Sequence, residues 1–336
     1  MSVSNKLSQQ ENISPLDQLV VLQRQNLDAV NAMILSRMQS DVPMIPKLAG
    51  HLIAGGGKRV RPLLTLAAAS LFGYDGPRTH KLAAAVEFIH TATLLHDDVV
   101  DESDQRRGKA SANAVFGNEA AVLVGDFLFS RSFQLMVEDG SIDVLRVLSN
   151  ASAVIAEGEV LQLSMLNDIS LTEEIYFKII GAKTAALFAA ACETGAIAAG
   201  ATAQQRQKMH DYGYFLGMAF QISDDVLDYG ADEAKLGKSL GDDFREGKVT
   251  LPIIYALQKA TPQQKDFLRK CLQDMQQDEN DFSRALDIIL STGGLATSLE
   301  KAQGFAAQAA LCLNGLPQAA NSVLRDLAFF AADRNS

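Results

Sequence analysis

The 336-residue chain is 48% hydrophobic, has no tryptophan and only eight prolines, so it can bury a sizeable core and favours helix through its many alanines and leucines. A formal net charge of −10 offers no broad basic face and argues against nucleic acid as a partner, while local basic clusters and bound metal still permit an anionic substrate. Cys192, Cys271 and Cys312 are an odd, scattered set that fits neither a metal-ligand pattern nor a disulfide framework, and reads as reduced thiols of a cytoplasmic protein.

The opening "MSVSNKLSQQENIS" is polar and has no apolar centre like that of a signal peptide. Residues 1–15 are expected to be a mobile tail and residues 16–336 a single domain. A first helix is expected from "SPLDQ", with Ser14 as N-cap and Pro15 at the first helical position. Glycines in "AGGGKRVRP" (54–62) stop one helix, and Pro62 is expected to open the next, "PLLTLAAASLFG". "DGPRTHKLAAAVEFIHTATLLHDDVVD" carries apolar residues around its whole cylinder, the mark of a buried helix. "NEAAVLVGDFLFSRSFQLM", "VLRVLSNASAVIAEGEVLQLSML", "EEIYFKIIGAKTAALFAAACETGAIAAG" and "QQRQKMHDYGYFLGMAFQISDDVLDYG" each predict a further helix. No strand-like alternation, flexible linker or tandem repeat interrupts them. No run of about eighteen apolar residues occurs, so no transmembrane segment is expected. Residues 230–250, polar and glycine-punctuated, predict a loop of functional length.

Asp97, Asp98 and Asp101 close the apolar helix at i, i+1 and i+4. Like charges four apart each cost a few tenths of a kcal/mol, and the C-terminal side of a helix disfavours anions further. On its own the trio reads equally as a solvated helix end or as a cation site. "FQISDDVLDYG" repeats the spacing at Asp224, Asp225 and Asp228, with Gln221 three residues before Asp224. Gly213 and Gly217 on the same segment permit close approach of a neighbouring helix. Two triads of one spacing, each closing an apolar helix, favour the cation. All-oxygen ligands suit Mg²⁺, which is commonly shared with substrate phosphates.

Lys58, Arg59 and Arg61 lie beside the triple glycine, Arg106 and Arg107 follow the first triad, Lys183 and Thr184 sit mid-chain, and Lys238 and Lys248 flank the loop after the second triad. Singly each basic residue reads as a surface charge. Beside two cation sites they read together as ligands for a diphosphate. Competing motifs fail on spacing. "LGKSL" lacks the glycine a P-loop needs five residues before Gly237. Glu87 and His90 form one Glu-x-x-His where a di-iron bundle needs two. A phosphohydrolase dyad at His96 and Asp97 would leave the second triad without a role.

"GGGKRVRP", "LLHDDVVDESDQRRGK", "AEGEVLQL", "KTAALF", "FQISDDVLDY" and "LGKSLGDDFREGKVTLP" resemble the trans-polyprenyl diphosphate synthases, and within them the bacterial octaprenyl diphosphate synthases. The resemblance runs from about residue 20 to the C-terminus and is loose over the last sixty or so residues. It implies an all-α isoprenoid synthase fold, a single helical bundle with the two triads facing each other across a central cavity. It implies that Asp97 and Asp101 hold two Mg²⁺ ions and Asp224 a third, with Asp98, Asp225 and Asp228 in support. Arg106, Lys183, Lys238 and Lys248 would contact an allylic diphosphate. Lys58, Arg61, His90 and Arg107 would hold isopentenyl diphosphate. The Lys183 carbonyl, Thr184 and Gln221 would help stabilise the cationic carbon.

The reaction implied is Mg²⁺-dependent condensation of isopentenyl diphosphate onto farnesyl diphosphate or a similar primer. Ala92 and Thr93 lie about one turn deeper than Asp97, where an aromatic residue closes the tunnel in the family; by that resemblance their small side chains imply an open tunnel and a product near octaprenyl diphosphate, the alternative being ordinary helix-packing residues. Phe88 and Met136 are candidate floors. A homodimer is expected, the apolar helix at 119–136 reading equally as its interface or as core, and a quinone side chain is the expected use of the product. The alternatives are a non-catalytic subunit of a heteromeric synthase and a helical metal phosphohydrolase.

Overall fold

The computed structural model describes residues 13–54, 57–106, 108–230, 240–317 and 321–333. The expectations on the first dozen residues, Arg107 and Lys238 lie outside the described residues.

Helix follows helix: α1 (Pro15–Leu22), α2 (Arg24–Arg37), α3 (Met44–Ala54), α4 (Val60–Leu71) and α5 (Pro77–Val100) precede a small hairpin of β1 (Gln105–Arg106) and β2 (Lys109–Ala110). Then come α6 (Ala112–Phe116), α7 (Asn118–Asp139), α8 (Ile142–Ser164), α9 (Glu173–Ile180), α10 (Ala186–Ala198) and α11 (Ala203–Gly230). The chain closes with α12 (Asp242–Arg245), α13 (Leu251–Lys259), α14 (Pro262–Leu272), α15 (Asp281–Thr292), α16 (Gly294–Cys312) and α17 (Asn321–Ala332).

Ser14 caps α1 as expected, its hydroxyl accepting from the Asp17 amide at 3.2 Å, with Pro15 at the first position. Ser141 and Thr172 cap α8 and α9 in the same way. Glycine in the left-handed conformation ends α7 at Gly140.

Four local expectations change. α4 starts at Val60 rather than Pro62, because Arg59 (φ 48°) takes the left-handed turn that launches it and the proline fits within the first turn, where its missing amide costs nothing. The stretch expected as one helix from Glu173 is interrupted by a π-helical turn, Gly181–Ala185, between α9 and α10. The hairpin has two residues per strand, pairing Gln105 with Ala110 and Arg106 with Lys109, too few for alternation to register. Within the stretch expected as a loop, Asp242–Arg245 form a short helix.

The buried side chains form two hydrophobic clusters. One gathers around α4, α5, α7 and α10 and includes Leu63, Phe88, Leu128, Phe188 and Leu216. The other gathers around α9, the far half of α11 and α13–α16, and includes Tyr176, Ala185, Ile222, Phe244, Leu268 and Ala302. α10 and α11 cross closely. A Cβ on Gly213 would lie 2.4 Å from the Phe188 carbonyl oxygen, and one on Gly217 2.6 Å from the Ala185 Cα, so only glycine fits at this pair. α7 and the run from Glu173 to Ala198 have the length and apolarity of membrane spans, but most of the second is buried in the bundle, and one face of α7, with Val124, Leu128, Leu135 and Met136, packs into the core.

Candidate active site

The cleft is built where α5, α8, the π turn, α11 and the segment after α12 meet. Asp97 sits in the last turn of α5 and Asp101 is its C-cap. Both line a cavity of about 350 Å³ with Glu159 of α8, Glu246 and Lys248. A neighbouring cavity of about 120 Å³ is bounded by Lys183, Gln221, Asp225, Asp243, Lys248 and Tyr176. Gln162, Leu166 and Lys248 line both.

Two lysines tie the walls together. Lys248 Nζ donates to Asp101 Oδ2 at 3.2 Å and to Glu246 at 2.6 Å. Lys183 Nζ donates to Glu159 Oε2 at 2.9 Å and stands 4.0 Å from Asp97. Burial works against the charge on Lys248, yet Asp101, Asp243 and Glu246 outweigh it and its pKa is raised. Burial pushes Asp97 up to about 7 even though Lys183 pulls it down, because Glu159 and Asp101 add repulsion. The second oxygen of Glu159, Oε1, is buried and has no hydrogen-bond partner among the described residues.

The second triad divides its labour. Asp224 is exposed, while Asp225 is buried. Asp225 accepts from Tyr176 at 2.6 Å and from Gln221 at 2.8 Å, and Thr184 donates to Gln221 Oε1 at 2.7 Å. Burial and then Asp243 raise the Asp225 pKa well above the carboxylate range. Asp228 receives the backbone amides of Asp242 (3.2 Å) and Asp243 (3.1 Å), so it fastens α12 to the end of α11. Burial, with Asp243 next, pushes it up to about 7.

Asp98 is turned away from Asp97. It is buried and takes Arg106 Nε at 2.7 Å, so the basic hairpin is pinned to the helix end. Arg61 and His90 are brought together (Nη1 to Nε2, 3.0 Å), with the guanidinium 4.7 Å from the Phe188 ring centre. Lys58 is exposed beside them in sequence, and Arg59 pairs with Glu87.

Of the tunnel residues, Ala92 is fully buried and Thr93 partly so, its hydroxyl returned to the His90 carbonyl. α5 and α7 run antiparallel, with His96 on the Val122 carbonyl at one end and Arg78 on Asp139 at the other. Met136, buried, lies fourteen positions beyond Val122, about 21 Å along α7 at 1.5 Å per residue. Phe88, also buried, is nine positions from Asp97 and lines a cavity of about 80 Å³ that it shares with Arg59, Glu87, His90, Asp98 and Arg106.

Four participants go beyond the sequence reading. Glu159 lies within "AEGEVLQL" and Asp243 within "GDDFREGK", segments where a charge amid the resemblance is the available signal. Glu87 is signalled by its place in an apolar helix. Tyr176 carries no signal, since a tyrosine among isoleucines reads as core.

Asp97, Asp101 and the orphaned oxygen of Glu159 give one pocket an acidic, all-oxygen wall, which fits a hard cation such as Mg²⁺. Among the described residues no three ligand side chains converge on one point, so such a cation would draw its remaining oxygens from water or substrate, as Mg²⁺ commonly does.

The polyprenyl synthetase family profile matches residues 42–289. The chain is 46% identical over 321 residues to an octaprenyl diphosphate synthase of Escherichia coli (strain K12), covering 95% of this chain and 99% of that one. A crystal structure of a polyprenyl synthase from Caulobacter crescentus CB15, complexed with calcium and isoprenyl diphosphate, superposes with a TM-score of 0.93 at 50% identity, covering 96% of this chain and 99% of that one. A decaprenyl diphosphate synthase from Rhodobacter capsulatus gives 0.92 at 49% identity, covering 96% and 100%. Fold, cleft and kinship together place the chain in the polyprenyl synthetase family, with the all-α isoprenoid synthase fold, as an enzyme of the long-chain polyprenyl diphosphate synthase type.

Proposed function

We propose that the cleft performs the Mg²⁺-dependent condensation of isopentenyl diphosphate onto farnesyl diphosphate or a similar allylic primer, ending near octaprenyl diphosphate. The observation that carries this reading is the pair of lysines, Lys183 and Lys248, bridging carboxylates at the ends of distant helices. They are cations already poised where an anionic group would lie between the two aspartate segments. Asp97, Asp101 and Asp224 would hold about three Mg²⁺ ions, with Asp98, Asp225 and Asp228 in support. The ions supply charge neutralisation to the departing diphosphate.

Lys183, Lys248 and Lys238 bind the allylic diphosphate, with Arg106 reaching it from the hairpin. Their charges stabilise the oxygens as the carbon–oxygen bond breaks. Arg61, His90, Lys58 and Arg107 hold isopentenyl diphosphate. Its double bond attacks the allylic cation, which the Lys183 carbonyl, Thr184 and Gln221 face. The proton then lost goes to the departed diphosphate, so no separate protein base is needed. The apolar walls keep water from the cation. The growing chain descends past Ala92 and Thr93 towards Met136.

A homodimer through α7 and its neighbour α8 is supported by the exposed Leu123, Val137, Ile142 and Val154 on these two helices. Cytoplasmic residence and a quinone side chain as the product's use complete the reading.

Purified protein incubated with farnesyl diphosphate, labelled isopentenyl diphosphate and Mg²⁺, with and without chelator, tests it. A chelator-sensitive ladder ending near forty carbons is expected. A ladder ending at fifteen or twenty carbons would remove the long-chain assignment, and no incorporation without a second subunit would favour the heteromeric alternative.

A further inference from the structure

We propose that Tyr176 is a positioning residue of this site, fixing through Asp225 and Gln221 the direction in which the Thr184 hydroxyl points. The inference rests on the reading that Thr184 faces the allylic cation.

The three hydrogen bonds form one directed chain. The Tyr176 hydroxyl donates to Asp225 Oδ2 at 2.6 Å, Gln221 Nε2 donates to Asp225 Oδ1 at 2.8 Å, and Thr184 Oγ1 donates to Gln221 Oε1 at 2.7 Å. Tyr176 and Asp225 are both buried. An acceptor at Asp225 dictates which end of the Gln221 amide faces it, because only the NH₂ can donate. The Gln221 carbonyl is thereby turned to Thr184, and a carbonyl can only accept. Thr184 therefore commits its single hydrogen to Gln221 and keeps its oxygen lone pairs for the cleft. A cation is stabilised by lone pairs and repelled by a hydroxyl hydrogen. With the amide reversed, Nε2 would donate to Thr184 and its hydrogen would point at the developing positive charge.

Tyr176 makes that reversal costly. Its hydroxyl occupies Asp225 Oδ2 and leaves Oδ1 as the oxygen that accepts from Gln221 Nε2, so both carboxylate oxygens are engaged in this one arrangement. The backbone is shaped to allow this reach. Tyr176 and Thr184 are eight positions apart, which in an unbroken α-helix puts them about 80° apart around the axis. The π turn Gly181–Ala185 takes more residues per turn, reducing that rotation, so both side chains meet α11.

The test uses Tyr176→Phe, Thr184→Val and the double variant, with kcat and KM measured for both diphosphates at saturating Mg²⁺. For Tyr176→Phe, kcat is expected to fall about tenfold, the scale of one lost hydrogen bond, with both KM values within about twofold of wild type. The double variant is expected to match Thr184→Val alone, since two residues acting through one hydroxyl are not additive. A Tyr176→Phe enzyme with wild-type kcat, or a double variant whose loss is the product of the single losses, overturns the role of Tyr176. Thr184→Val with wild-type kcat instead overturns the underlying reading that Thr184 faces the cation.

A ratio independent of the folded fraction completes the test. Water capture converts allylic diphosphate and water into allylic alcohol, diphosphate and a proton. Alcohol formed per condensation should rise in Tyr176→Phe, and an unchanged ratio counts against the proposal.

Discussion

Gly158→Ala is the sharpest perturbation of this site that touches neither substrate nor charge. Gly158 lies on α8 against the π turn, and a Cβ there would stand 2.5 Å from the Ala182 Cβ and 3.2 Å from the Lys183 amide nitrogen. Carbon atoms pack at about 3.5–4.0 Å, so the turn must retreat by about 1 Å or more. Overpacking of this kind costs about 1–3 kcal/mol, a melting-point loss of a few degrees for a chain of this length. The larger effect is on chemistry. Lys183 and Thr184 ride on the displaced turn, and a misplacement of about 1 Å can cost about a hundredfold in rate. Thermal unfolding and steady-state incorporation of labelled isopentenyl diphosphate measure both. Gly304→Ala is the control. It lies exposed in α16 with nothing within 4 Å of its Cβ position, and should stabilise by up to about 1 kcal/mol through helix propensity alone, leaving kcat unchanged. If Gly158→Ala kept wild-type kcat and melting point, the close α8 contact would have no part in positioning Lys183.

Asp97 and Asp228 are both held near 7, above their unfolded values near 4. The folded protein therefore binds more protons between those limits, and its metal-free stability should fall as pH rises from about 4 through about 7, then level off. Melting points in chelator between pH 5 and 8 check this, and a rise across that interval contradicts it. By the same logic Asp97→Asn should raise the metal-free melting point at pH 8 while lowering condensation by at least about a hundredfold, and a lowered melting point would be the contrary result. Thr93→Phe should shorten the product ladder, whereas Phe88→Leu should leave its end unchanged because Phe88 lines the cavity that holds His90 and Arg106 rather than the one that holds Asp97. Chromatography of dephosphorylated products decides, and a shift with Phe88→Leu would return that side chain to the tunnel.

The long helices are legible in the sequence because apolar period and caps agree with each other. Ser14–Pro15 and the glycines at 213 and 217 act as expected, and both aspartate segments line adjoining cavities. What is hidden has identifiable causes. Gly181–Ala185 is built of residues that an ordinary helix accepts, so nothing in composition marks the wider turn. The Arg106 hairpin is too brief to show a period. The division of labour within each triad depends on which oxygen a distant donor reaches: Arg106 for Asp98, Tyr176 for Asp225, the α12 amides for Asp228. Such pairings span eight to forty-nine residues and leave no local trace.

The two hydrophobic clusters meet at the cleft itself. The helix that begins at Glu173 belongs to one cluster as far as Ala185 and to the other from Leu187. α11 changes allegiance between Leu216 and Met218, opposite that same point. Lys183, Thr184 and Gln221 thus sit on a boundary between two separately packed units rather than deep within either. Regions of this kind open with less free energy than the units they join. Amide hydrogen exchange should then divide the chain into two protected blocks, with residues 181–187 and 216–222 exchanging ahead of both. That outcome would mark the seam as the place where the cleft widens to release a long apolar product while each block stays folded.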